Sequence, residues 1–130
     1  MYQINRVRLQ SGFTLIELLV VMAIVATLLS IVAPRYFAAI DKAKEAVLRQ
    51  DLKIMRDAID QFHADFGKYP FDLEELVERR YLRNVPIDPM TESNETWILM
   101  PPPNDDDEGV YDVHSGFTGR AMDGTFYEEW

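Results

Sequence analysis

The feature that most constrains this chain is an almost uninterrupted apolar run near its N-terminus. The nineteen residues from Leu15 to Ala33 read LIELLVVMAIVATLLSIVA and contain one charge, Glu17. At about 1.5 Å rise per residue, a helix of this length roughly matches the hydrocarbon thickness of a bilayer. The run therefore predicts a membrane-spanning helix, with Glu17 near its cytoplasmic end.

A short basic segment precedes the apolar run. Residues 1–12 carry Arg6 and Arg8 and no acidic residue, which suits the anionic cytoplasmic face of a membrane. An ordinary secretory signal is cut after its apolar stretch, whereas here the best small residue, Gly12, lies before it. Late cleavage after Ala33 is a weaker alternative, because Ile31, the third residue before that cut, is not small. The order of these features predicts a leader that is removed and a span that is retained.

The helical pattern continues beyond the span. Pro34 allows either a kink or a helix end, because proline lacks the amide hydrogen and its ring clashes with the preceding turn. Gly67 and Pro70 form a plausible stop. We therefore predict one helix from about Phe13 to about Phe66. Between the proline and the stop, apolar residues recur at intervals of three and four, as in an amphipathic helix: Leu48, Leu52, Met55, Ile59, Phe62 and Phe66.

The remaining residues predict a small head. Asp72, with Glu75 three residues later, predicts the N-cap of a second helix that runs to about Arg80. Two β-branched or aromatic runs, 96–100 and 110–114, predict an antiparallel pair. The fold class is therefore α+β: a long N-terminal helix, a short second helix and a small antiparallel sheet with a loop-rich C-terminus. Three aromatic residues of that C-terminus are expected to pack back on the head: Phe126, Tyr127 and Trp130.

Charge and composition exclude several classes of function. The formal net charge is -9, and residues 84–130 carry eleven acidic residues against the single Arg120. Such a head repels phosphate backbones, so nucleic acid is not a predicted partner. The absence of cysteine removes disulfides and thiolate metal sites. Neither a nucleophile with a base nor paired catalytic carboxylates emerge, so no enzyme is predicted.

The junction at the start of the apolar run carries a specific resemblance. Residues Gly12 to Leu18 read GFTLIEL, follow a basic leader and open the apolar span. Together these features resemble the class III signal of type IV prepilins and of the pseudopilins of type II secretion. The resemblance implies that a prepilin peptidase cuts between Gly12 and Phe13 and then N-methylates Phe13. It divides the chain into a cleaved leader, a transmembrane and filament-core half-helix, an amphipathic half-helix and a periplasmic head: 1–12, 13–34, 35–66 and 67–130.

Glu17 is the informative residue of the span. A carboxylate in the apolar layer costs about 2–3 kcal/mol unless it is paired or near the interface. Cleavage frees the α-amino group of Phe13, a class of group with a reference pKa of about 8 and hence largely cationic at neutral pH. The resemblance implies that this amine of an adjacent subunit pairs with Glu17 during assembly. Two alternatives remain: pairing with the amine of its own chain, or a headgroup position favoured by the helix dipole. Pro34, the twenty-second residue from Phe13, matches a helix-breaking proline of the same family and is the third assembly candidate.

The resemblance continues into the head. The segments Gly67-Lys68-Tyr69-Pro70, Asp88-Pro89 and Tyr111-Asp112 resemble the major pseudopilin of type II secretion, although Met90-Thr91 replaces the Trp-Gly that is common there. This implies a pseudopilus subunit of the bacterial inner membrane, with a single span and a periplasmic head. Its expected partners are copies of itself, minor pseudopilins, the prepilin peptidase and the inner-membrane assembly platform. The alternatives are a type IV pilus subunit for adhesion, motility or DNA uptake, and an anchored enzyme or binding module that never polymerises.

A calcium site is the one cofactor that the resemblance implies. Its loop commonly binds the ion through backbone oxygens, a serine and aspartates, which here gives Ser115, Thr118 and Asp123 as candidates. Thr118 stands where an aspartate is usual, and calcium prefers six to eight oxygen ligands with several carboxylates. The acidic stretch 105–108 follows three prolines and is interpreted as a solvated loop rather than a metal site.

Overall fold

The computed structural model describes residues 2–3 and 10–130. Its contacts divide the chain into two compact units, Met1–Ala38 and Ala39–Trp130. The leader residues Arg6 and Arg8, on which the predicted orientation depends, lie outside the described residues. The elements follow in the order of a long helix, a short helix, two strands and a final 3-10 turn.

Helix α1 spans Leu15–Phe66, 52 residues, which confirms the predicted long helix to within two residues at its start. Its sequence contains no glycine and a single proline, and it continues through Pro34 rather than ending there. At its other end, Gly67 takes a left-handed φ of 68° and its amide donates to the His63 carbonyl at 2.8 Å. Glycine adopts this conformation without a Cβ clash, so the predicted helix stop is confirmed.

In the first unit, the apolar side chains of α1 have no protein cover. Every residue from 15 to 32 is exposed. By length and composition, α1 is the one helix of residues 2–3 and 10–130 that could span a membrane. A contiguous apolar surface of this size is unstable in water and requires lipid or protein around it.

In the second unit, α1 supplies one wall of the hydrophobic core. The predicted stripe is confirmed from Leu48 to Phe62, whereas Phe66 is 44% exposed because the helix ends beside it. Its ring still lies 4.6 Å from that of Phe62. The rest of the core comes from the short helix, the loops, the sheet and the C-terminal segment: Leu73, Leu76, Leu82, Val85, Trp97, Val110, Val113, Ala121 and Tyr127.

Helix α2 spans Leu73–Glu78 and begins as predicted. Asp72 is its N-cap and accepts the amide of Glu75 at 2.8 Å. The helix ends before the predicted Arg80, because Arg80 takes a left-handed φ of 64° and the amide of Tyr81 turns back to the Leu76 carbonyl.

The predicted antiparallel pair is present but shorter. Strand β1 is Ile98–Met100 and strand β2 is Asp112–His114, with Leu99 opposite Val113. The amide of Val110 donates to the Pro70 carbonyl instead of to β1, so the ladder begins later than the run of β-forming residues.

The C-terminal aromatic residues behave differently from one another. Tyr127 begins the 3-10 turn Tyr127–Glu129 and is buried, and Trp130 packs against the core as predicted. The prediction for Phe126 is wrong: the residue is 37% exposed, and the Arg120 guanidinium lies 4.9 Å from its ring centre. A cation over an aromatic face stabilises the ring at the surface.

Candidate functional site

The junction predicted to be cut lies outside regular structure. Gly12 and Phe13 precede α1, and Phe13 is 87% exposed. A Cβ placed on Gly12 would meet no heavy atom of the described residues within 4 Å. The junction is exposed and lies outside regular structure, so a peptidase can reach it without unfolding any element.

Thr14 and Glu17 form a reciprocal cap at the start of α1. The amide of Glu17 lies 3.2 Å from Thr14 Oγ1, and the amide of Thr14 lies 3.4 Å from Glu17 Oε2. This is the capping box of a Thr-x-x-Glu sequence, in which each side chain serves an amide that has no helical partner. The role of Thr14 was not predicted from the sequence, although the four-residue pattern before an apolar run was the signal for it.

The cap changes the interpretation of Glu17. Its carboxylate lies in the first turn of α1, at the positive end of the helix dipole, where an anion is favoured by about 0.3–1 kcal/mol. Oε2 serves the cap, and among the described residues no donor binds Oε1. Glu17 therefore lies at the dipole end that the headgroup alternative requires, and the cap leaves room for pairing with an amine.

Pro34 follows a stretch in which hydroxyl groups bind back to the helix. Thr27 Oγ1 donates to the Ala23 carbonyl at 2.8 Å, and Ser30 Oγ donates to the Thr27 carbonyl at 2.6 Å. Because proline has no amide hydrogen, the Ser30 carbonyl loses its usual donor four residues later. This segment therefore has weaker backbone bonding than the helix around it.

Comparison with known proteins bears directly on this junction. The sequence profile of the Prokaryotic N-terminal methylation motif matches residues 7–33, which contain Gly12, Phe13 and Glu17. The type II secretion system core protein G of Vibrio cholerae is 31% identical over 124 residues, 84% of this chain and 81% of the relative. The chain belongs to the core protein G family.

Two other relatives of the same name support this family assignment. That of Escherichia coli is 30% identical over 122 residues, 82% of this chain and 80% of the relative. That of Pseudomonas aeruginosa is 36% identical over 98 residues, 63% of this chain and 69% of the relative. No solved structure matches the chain. The resemblance drawn from the GFTLIEL junction and from the head is confirmed.

The three residues predicted to bind calcium make different contacts. Ser115 is fully buried, and its hydroxyl donates to Oδ2 of the buried Asp88 and accepts the Phe117 amide at 3.2 Å. Thr118 is exposed. In Asp123, Oδ1 accepts the amide and the hydroxyl of Thr125, at 3.0 and 2.6 Å.

These side chains do not fit a calcium ion. They offer one carboxylate, and its other oxygen, Asp123 Oδ2, lies 3.4 Å from Nη2 of Arg49. The hydrogen bonds from Thr125, and then the charge of Arg49, hold the pKa of Asp123 below its usual value. Within the described residues, no three His, Cys, Asp or Glu side chains gather as a metal-binding cluster. A calcium ligand set of six to eight oxygens with several carboxylates is therefore not assembled here.

Tyr127 lies on the core side of the segment that contains the predicted calcium ligands. Its hydroxyl donates to Glu45 Oε1 at 2.8 Å, and burial, followed by this hydrogen bond, raises the pKa of Tyr127 to about 12. This role of Glu45 was not predicted from the sequence, because Glu45 and Tyr127 are 82 positions apart.

The head should lose stability in alkali because of Tyr127. The folded state holds the phenol neutral, so this contribution is complete below the unfolded pKa of about 10 and is lost as the pH rises through about 12. We expect the free energy of unfolding to fall over that window, and Tyr127→Phe to flatten the fall. The measurement is denaturant unfolding at several alkaline pH values, with the exposed Tyr36→Phe as control; equal slopes for all three proteins would contradict the assignment.

Proposed function

We propose that this chain is a structural subunit of a type II secretion pseudopilus. In this proposal a prepilin peptidase cuts between Gly12 and Phe13 and methylates the new N-terminus. The subunit is then held in the bacterial inner membrane by one span, with its head in the periplasm. It polymerises with its own copies and with minor pseudopilins on the inner-membrane assembly platform, and this movement drives protein export.

The observation that carries the proposal is the position of the N-terminal methylation motif on the structure. The motif covers 7–33, and within it the exposed Gly12–Phe13 bond stands directly before the capped start of a long apolar helix. The junction is thus accessible to a peptidase, and the retained segment is long and apolar enough to span a membrane. The methylation motif and the family relatives favour a subunit without catalytic activity of its own.

The exposed apolar residues of α1 fit a subunit that lies first in the membrane and then in the filament. Residues 15–32 are exposed, so lipid must cover them before assembly and neighbouring subunits afterwards. Arg35, Tyr36 and Phe37 follow the span, and the two rings lie 6.0 Å apart. Aromatic and cationic residues of this kind settle at membrane–water interfaces, so they set the depth of the span.

Glu17 fits a role in the transfer of the subunit from the membrane into the filament. The cap leaves Oε1 of its carboxylate available, and cleavage creates a cationic amine on Phe13 of every subunit. In a low-dielectric filament core, an amine from the neighbouring subunit would pair with this oxygen and set the axial register. Pro34 contributes a weak point in the backbone, where the helix can open as the subunit leaves the membrane.

The test of this function is substitution of Gly12. Gly12→Leu places a bulky side chain at an open position of the junction, because no atom of the described residues lies within 4 Å of the new Cβ. We expect a full-length, membrane-bound protein that carries no methylated Phe13 and forms no filament. Mass spectrometry of the N-terminus and filament isolation measure the two results.

Gly12→Ala is the matched control and should be processed at least in part, since it adds a single methyl group. The proposal fails if the leucine variant is cleaved, methylated and assembled like the parent protein. Unprocessed protein that still forms filaments would also contradict it.

A further inference from the structure

The C-terminal segment from Ser115 to Trp130 is closed by protein contacts where the family resemblance implies a calcium loop. A short hairpin forms its centre, with Arg120 bridged to Phe126. The amide of Ala121 donates to the Thr125 carbonyl at 2.7 Å, and the amide of Tyr127 donates to the Gly119 carbonyl at 3.1 Å. The carbonyls of Gly119 and Thr125 are thus directed at amides across the hairpin.

The tip of the hairpin is also closed by backbone bonding. The amide of Gly124 donates to the Ala121 carbonyl at 3.0 Å, and Gly124 takes a left-handed φ of 88°. Asp123 stands beside this turn and accepts two hydrogen bonds from Thr125. A loop that wraps an ion turns its carbonyl and carboxylate oxygens inward toward it, whereas these oxygens serve the turn itself.

Three polar side chains of α1 fasten the segment to the helix. Glu45 Oε1 accepts the Met122 amide at 2.7 Å as well as the Tyr127 hydroxyl. Arg49, one turn further along, pairs with Asp123 and lies with its guanidinium carbon 3.8 Å from the centre of the Trp130 ring. Since residues four apart lie on one helix face, Glu45 and Arg49 act on the hairpin together.

Arg56, about two turns beyond Arg49, fastens the end of the segment to the sheet. Its Nε donates to Asp112 Oδ1 at 2.7 Å, and its Nη2 donates to the Val113 carbonyl at 3.0 Å. The same Nη2 donates to the Trp130 carbonyl at 2.5 Å. One half-buried guanidinium therefore joins α1, β2 and the last residue, a geometry that the planar fork of arginine permits.

We propose that Glu45, Arg49 and Arg56 take the place of calcium in this subunit, so that its C-terminal segment folds and stays closed without a metal ion. The guanidinium of Arg49 already supplies a positive charge to Asp123, the only carboxylate among the candidate ligands. A divalent ion at this position would face that fixed cation at close range. The buried contact between Asp88 and Ser115 secures the start of the same segment.

The proposal is tested on the full chain in detergent by thermal unfolding in chelator and in calcium chloride. We expect the same Tm in both solutions and no heat of binding in a calorimetric titration with calcium alone. A Tm that falls by several degrees in chelator, or a measurable calcium affinity, would overturn the proposal.

Arg49→Ala tests the fastening itself. We expect its Tm to fall by about 4–8 °C, equally in chelator and in calcium, with faster hydrogen exchange at the amides of Ala121 and Tyr127. Lys53→Ala is the matched control: it removes an exposed cation of the same helix that pairs with Asp57 at 2.9 Å rather than with the segment. The proposal fails if the two variants match in Tm and exchange, or if calcium restores the Tm of Arg49→Ala.

Discussion

Glu17→Gln should abolish incorporation into filaments while leaving cleavage at Gly12 and methylation of Phe13 intact. Glutamine keeps the cap, because the third helical position of a capping box accepts either residue. What it removes is the negative charge. At a separation of about 4 Å and an effective dielectric constant of about 20, two unit charges attract by about 4 kcal/mol. Loss of that attraction would weaken subunit addition by roughly a thousandfold.

Thr14→Ala is the complementary variant. It removes the hydroxyl that accepts the Glu17 amide and keeps the carboxylate, so it should cost about 1 kcal/mol of helix stability and still assemble. Filaments sheared from cells and quantified against membrane-bound subunit measure both effects. If Glu17→Gln assembles normally while Thr14→Ala does not, the carboxylate acts as a cap and not as the partner of an amine.

Phe62→Ala should remove about 3–5 kcal/mol from the free energy of unfolding of the head. The side chain is 1% exposed and lies at the centre of the core, with its ring 5.5 Å from that of Tyr81 as well as beside Phe66. Truncation leaves a cavity among rings that cannot close around it, since α1 and the loop that carries Tyr81 hold their backbones apart. Denaturant unfolding of the full chain in detergent measures the loss.

Phe71→Ala is the matched control for this loss. Phe71 is 82% exposed and lies just before α2, so the same truncation should change the free energy of unfolding by less than about 0.5 kcal/mol. Equal losses for the two variants would contradict the assignment of Phe62 to the core. A small loss for both would show that α1 is not a wall of that core.

The bounds of α1 could be predicted because their signals are local. Gly67 ends the helix through its own backbone conformation, and the apolar period assigns Leu48 to Phe62 to one face. The capping box of Thr14 and Glu17 is equally local, so the Thr-x-x-Glu pattern was sufficient to predict it. The same apolar period includes Phe66, which is 44% exposed, because burial at a helix end depends on what the following chain covers.

The head was less predictable for a different reason. The start of α2 follows from Asp72, but its end depends on the left-handed conformation of Arg80, which arginine rarely adopts. The ladder is shortened because the Val110 amide donates to the Pro70 carbonyl of a distant segment. The contact between Asp88 and Ser115 joins residues 27 positions apart, and that between Arg49 and Asp123 joins residues 74 apart. No pattern of spacing in a single sequence reports such pairs.

The apolar run and its junction are therefore what the amino-acid sequence determined by itself. The apolar span and the position of Glu17 at its start follow from residue order, because membrane partition and helix capping act on neighbouring residues. The cut before Phe13 stays a prediction from the family resemblance of the junction. The manner in which the C-terminal segment is closed was decided only by the tertiary structure. The charge of Asp123 could be paired with a metal ion or with an arginine, and the folded chain places Arg49 of α1 beside it.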